Sequence, residues 1–144
     1  DGVEVYLKMD VDSAGNNGAY IFGDYQLRMV RAENYPSGFY PWDGNSGSGA
    51  GHFTNDPNFI IGQIDNGSGA YVQEWQIPWV DLIAYLNDPW GGQYFRFDIN
   101  ARDNTTGFAL GDTQMVMWNS ASDEQWRNTN FFGLVELAEP ISIP

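Results

Sequence analysis

Apolar and polar residues alternate with a period of two through segment after segment of this chain. In "VEVYL" (3–7), Val3, Val5 and Leu7 share one side against Glu4 and Tyr6. In "DYQLRMV" (24–30), Tyr25, Leu27 and Met29 oppose Gln26, Arg28 and Val30. The longest run, "YFRFDINAR" (94–102), sets Phe95, Phe97, Ile99 and Ala101 against Tyr94, Arg96, Asp98, Asn100 and Arg102. Successive side chains of a strand point to opposite faces, so each run predicts a strand with one face turned to a core. "FIIGQI" (59–64) and "AYVQEWQI" (70–77), joined by the turn sequence "DNGSG", read the same way, as do "TQMVMW" (113–118) and "FGLVEL" (132–137). Only "PWVDLIAYL" (78–86) has helical spacing, with a proline near its start where a helix accepts one. The pattern predicts an all-β fold, an antiparallel β-sandwich of immunoglobulin-like or jelly-roll type, with one short helix near residues 79–86. Residues 32–58, rich in Gly, Ser, Asn and Pro, predict a long loop suited to a functional insert.

The length of 144 residues suits a single domain with a real core. Aromatic residues make up 16% of the chain, enough for either a tightly packed sandwich or a surface that stacks on flat ligands. There is no cysteine, which removes disulfides and thiolate metal sites. Nineteen acids against six bases give a net charge of −13. Nucleic acid and anionic membrane are poor partners for such a chain, because neutralising phosphates needs clustered Lys and Arg. No apolar run is long enough for a membrane span. An acidic, cysteine-free chain rich in Asn, Gly and aromatics fits a secreted or cell-surface domain.

The alternation places Glu4, Arg28 and Asn100 together on the polar side of their strands. One reading is a solvated sheet face, which carries polar residues in any case. The other is a concave face that hydrogen-bonds a polyhydroxylated ligand. Enzymatic chemistry finds little support: Glu4 and Asp98 form no glycosidase motif, and the single histidine, His52, has no nucleophile signature beside it. Haem ligation could draw on Met9, Met29, Met115, Met117, His52 and Lys8, but methionines at alternating strand positions are usually core. The same sandwich could also serve as an extracellular assembly domain. Trp118, closing an apolar run, is expected in the core.

Taken in order, "DGVEVYLKMD", "GDYQLRM", "VQEWQIPWVDL", "FRFDINARD" and "MWNSASDEQWRNTNFFGLVEL" resemble the family 9 carbohydrate-binding modules. The resemblance runs over essentially the whole chain. It implies a noncatalytic β-sandwich that binds glucan or xylan chains, such as cellulose and xylan, commonly at the reducing end, and that carries structural calcium. Carried over by motif, the resemblance assigns sugar contacts to Trp126, Arg28, Glu4, Asn100 and Asp123, with Trp126 as one wall of a two-tryptophan clamp. Asn100 is shorter than the glutamine of characterised members, and Asp123 stands where they have asparagine.

The family's other clamp tryptophan lies upstream of the "D-x-V-E" motif, whereas this sequence opens at Asp1. The expectation is therefore a domain lacking its N-terminal strands, with Trp42 or Trp90 available as a substitute wall or simply packed on the sandwich. Calcium is expected in "DVDSAGNNG" (10–18) and "DNTTG" (103–107), where Asp10, Asp12 and Asp103 offer oxygen ligands of the kind hard cations prefer. The expected partners are a polysaccharide or oligosaccharide and the other domains of a parent protein or an extracellular assembly.

Overall fold

The computed structural model describes residues 2–9, 11, 18–21, 23–31, 35–43, 51–65, 67, 70–82, 94–104, 113–122, 124–125 and 127–138. Eight strands are seen: β1 (Gly2–Lys8), β2 (Asp24–Val30), β3 (Phe39–Asp43), β4 (Ile60–Asp65), β5 (Tyr71–Gln76), β6 (Tyr94–Asn104), β7 (Thr113–Met117) and β8 (Gly133–Glu136). Two short helices, α1 (Gly51–Asn55) and α2 (Trp79–Leu82), and a 3-10 turn over Thr129–Phe131 complete the described elements. The predicted helix is present as α2; its expected continuation through residue 86 lies outside the described residues.

All strand pairs are antiparallel. The larger sheet runs in the order β3-β2-β1-β6-β7, and β8 pairs with the first half of β6. The second sheet holds β4 and β5. The core forms where the apolar faces meet: Val5, Leu7, Tyr25, Leu27, Met29 and Phe39 from the larger sheet pack with Ile61 of β4, Phe53 of α1, Phe59 and Leu82. Burial of these period-two positions is the main driving force for closing the sandwich, at roughly 1.5–3 kcal/mol for each large apolar side chain. An edge clasp joins the sheets. Arg31, just past β2, holds Asp65 of β4 through two hydrogen bonds of 2.8 and 3.0 Å, and its guanidinium lies 4.9 Å from the Tyr71 ring centre. Hydrogen bonding from Arg31 keeps the Asp65 carboxyl below its ordinary range.

Two expectations need correction. Residues 32–58 do not form one long loop, because β3 and α1 lie inside that span. The strand was hidden by Pro41, which cannot donate to a ladder; β3 tolerates it as the edge of the sheet. Trp118 is not in the core: it is 56% exposed, with its ring centre 5.5 Å from that of Phe97. It follows β7 at the far side of the sheet from β3, beyond the strands that carry most of the core cluster.

Candidate functional site

The second face of the larger sheet carries the predicted polar residues, and register aligns them into rungs. Cross-strand partners share a face. One rung reads Tyr40, Arg28, Glu4, Asn100, Met117 from β3 to β7. The next reads Trp42, Gln26, Tyr6, Asp98. A third begins Asp24, Lys8, Arg96. The structure thus brings Glu4, Arg28 and Asn100 into one line across three adjacent strands.

That face is not the open, solvated surface that alternation suggested. Tyr6, Lys8, Asp24, Asp98 and Asn100 are buried, and Glu4 is only 3% exposed. Part of the cover is the chain between β7 and β8. Its Phe132 packs against Tyr6 with ring centres 5.6 Å apart, and Tyr20, from the segment before β2, packs against Phe132 at 5.9 Å. The Tyr20 hydroxyl donates to the Gln125 carbonyl at 2.5 Å. Gly18 makes the close approach possible: it sits at φ +79°, and a Cβ there would come within 1.9 Å of Asn128 Oδ1. Burial is the main influence that drives the Tyr20 phenol far above its ordinary value, with the acidic groups Asp24, Glu4 and Asp98 and the Tyr6 phenol adding to it.

Asp98 anchors this covering segment. Its Oδ1 accepts from the amides of Ile99 (2.8 Å) and Asn119 (3.0 Å). Its Oδ2 accepts from the Ser120 amide (3.1 Å) and Gln125 Nε2 (3.3 Å). A carboxylate has about four acceptor positions, so Asp98 is saturated and has no catalytic capacity to spare. Sequence patterning placed Asp98 on the polar face but held no sign of this role, since three of its four partners lie 21 to 27 residues away.

Glu4 is the hub of the upper rung. Its Oε2 accepts from the Tyr6 hydroxyl and from Asn100 Nδ2 (3.3 Å), and Arg102 Nη2 lies 3.3 Å away. Its Oε1 faces Arg28 Nε at 3.7 Å, an ion pair too long to be a hydrogen bond. Oε1 therefore retains room for a further donor, while the Arg28 side chain is 50% exposed and offers unspent donors to solvent. Asn100 Oδ1 is buried with no hydrogen-bond partner among the described residues. A buried acceptor, a half-exposed guanidinium fork and an orphan amide oxygen together suit a ligand with several hydroxyls. At the β3 edge Tyr40 is 51% exposed. Trp42 is part-buried, its ring meeting Tyr20 edge-on at 5.0 Å. Trp42 was expected in a loop; it lies on β3, on the same face as Glu4.

Trp126 and Asp123 lie outside the described residues, but their neighbours Gln125, Glu124 and Ser122 belong to the segment held over this face. Asp10 and Asp12 are also outside them, and so is Trp90. Asp103 is placed by its backbone in β6, paired with Gln114. Among the described residues no three acidic or histidine side chains come together as a metal site. Three of the six groups weighed as haem ligands are engaged elsewhere: Met9 and Met29 are in the core, and Lys8 pairs with Asp24 at 3.3 Å.

Two packed antiparallel sheets with a charged, aromatic-flanked face define the class of a β-sandwich domain. The family profile described as carbohydrate family 9 binding domain-like matches residues 1–140, and the chain belongs to that family. Two solved structures are similar in fold, both of a family 9 carbohydrate-binding module from Caldicellulosiruptor kristjanssonii. The one in complex with glucose shares 14% identity at a TM-score of 0.64, and the one in complex with cellotriose 13% at 0.62. Each match covers 100% of this chain and 62% of the other. No curated protein matches the chain.

Proposed function

We propose that this chain is a noncatalytic saccharide-binding domain whose ligand is a glucan or xylan chain held at the Glu4 face. The observation that carries the reading is the Glu4 hub. A buried carboxylate is fixed by Tyr6, Asn100 and Arg102, and Arg28 beside it is half exposed. Charged groups suit hydroxyl recognition because charge-assisted hydrogen bonds are about twice as strong as neutral ones, and Arg presents a rigid fork. Fixing the carboxylate beforehand lowers the ordering cost of binding. Membership of the family supports the same reading, as do the glucose and cellotriose complexes of its structural relatives.

In this reading Trp126 stacks on the apolar face of a pyranose, Asp123 contributes a further acceptor, and Arg28, Glu4 and Asn100 bind the equatorial hydroxyls. A preference for the free reducing end follows from the family resemblance, as does structural calcium at Asp10, Asp12 and Asp103; no step of binding passes through the ion. Within a larger secreted or cell-surface protein, such a domain would bring its neighbours to polysaccharide. Isothermal titration of the parent chain with cello- and xylo-oligosaccharides, and with the same sugars reduced to alditols, tests the proposal. The expected result is binding to an oligosaccharide, weakened about tenfold or more in Arg28→Ala and abolished by reduction of the terminal sugar. Binding equal in parent and Arg28→Ala would overturn the site, and equal binding of alditols would overturn the end preference.

A further inference from the structure

The β3 edge of this face carries two aromatic side chains in register with the Glu4 rungs. On β3, Phe39 is buried in the core at 5% exposure, while Tyr40 on the opposite face is 51% exposed. Trp42, two residues on and on that same outward face, is held edge-on by Tyr20, whose hydroxyl is tied to the Gln125 carbonyl. Tyr40 is the direct cross-strand partner of Arg28, which in turn partners Glu4. With neighbouring strands about 4.8 Å apart, Tyr40 lies roughly 10 Å from the Glu4 strand.

We propose that Tyr40 is a further stacking platform of the saccharide site, receiving a sugar residue beyond the one held at Glu4 and Arg28. This extension rests on the function proposed above. A large ring left half in water beside the half-exposed Arg28 has an apolar surface available to the C–H face of a pyranose. Aromatic platforms of this kind bind chains with little demand on hydrogen bonding, because every ring presents a flat face. The adjacent Arg28 guanidinium sets the direction, so an oligosaccharide anchored at Glu4 runs across β2 toward the edge of the sheet. Trp42, one rung away and packed on Tyr20, forms the fixed side of this track. The ligand class is a chain of β-linked pyranoses, whose equatorial hydroxyls leave both ring faces apolar.

The test is isothermal titration of the parent chain, Tyr40→Ala, Tyr40→Phe and Arg28→Ala with glucose, cellobiose, cellotriose and cellohexaose. Thermal melts of each variant serve as a folding check. In the parent, affinity should rise from the short to the long sugars. Tyr40→Ala should lose that rise, binding cellohexaose about tenfold more weakly while binding the shortest sugar that the parent binds as the parent does. Tyr40→Phe should retain it, since the ring face is kept. Tyr40→Ala showing the parent's full length dependence, with Arg28→Ala weakened for every sugar, would overturn the extension and leave the primary site standing. Loss of affinity for all lengths alike in Tyr40→Ala would also overturn it. A parent chain that binds none of these sugars would overturn the proposed function and the extension together.

Discussion

Replacing Asp98 by asparagine tests whether one buried carboxylate holds the segment that covers the polar face. The side chain is 0% exposed and accepts from three backbone amides and the Gln125 side chain at 2.8 to 3.3 Å. An asparagine of the same shape has one acceptor oxygen, so it can keep only one of the two pairs. Its amide group would then point its own hydrogens at the other pair, either Ile99 with Asn119 or Ser120 with Gln125. Each buried donor left unpaired costs about 1–3 kcal/mol, so two orphans bring roughly 2–6 kcal/mol. Removing a charge from a fully buried position offsets part of this, and Gln125 can turn its amide away. The expected loss for Asp98→Asn is therefore about 2–4 kcal/mol, read from the urea midpoint with the slope unchanged. Hydrogen exchange locates the effect: the Asn119 and Ser120 amides should lose protection before those of β1 and β2. Saccharide affinity should fall as well, since Trp126 directly follows Gln125. A variant within about 0.5 kcal/mol of the parent, with both amides equally protected, would refute the anchoring role.

Stability should decline as pH rises above the ordinary tyrosine value of 10.0, because the unfolded chain then releases a proton that folded Tyr20 keeps. Tyr20 is raised, so its contribution is complete below 10.0 and diminishes above it; Tyr20→Phe should flatten the decline seen in melts from pH 8 to pH 11. Tyr35 and Tyr94 shift in the same direction, through burial and through Glu136 respectively, and will share the slope. Trp118→Ala should cost about 1 kcal/mol or less, since the ring is 56% exposed; a loss of several kcal/mol in chemical unfolding would show that it is a core residue after all. If calcium occupies the acidic loops, excess chelator should lower the melting temperature and added calcium restore it. An unchanged melt would remove the ion from the account.

The strands, their faces and most of the core were legible from local pattern alone. Leu27 and Met29 against Gln26 and Arg28, or Phe97 and Ile99 against Asp98 and Asn100, declare a face because the strand period is two. That period cannot place β3 beside β2. Pro41 suppresses the signal of this strand, and its position at the sheet edge, where a missing donor costs nothing, is a property of the assembled sheet. Local pattern also misjudged how the polar face is used. Alternation put Glu4, Asp98 and Asn100 on the polar side of their strands, with a solvated face as one reading, yet all three are buried, as are Lys8 and Asp24 on the same face. Their burial depends on what the chain brings over them from far away in sequence, as Gln125 reaches Asp98 and Tyr20 reaches the Gln125 carbonyl. Sequence thus determined which residue types share a face. Tertiary structure decided which are covered and saturated, as Asp98 is, and which stay half open to solvent, as Arg28 and Tyr40 do, because exposure and hydrogen-bond saturation are set by residues distant in the chain.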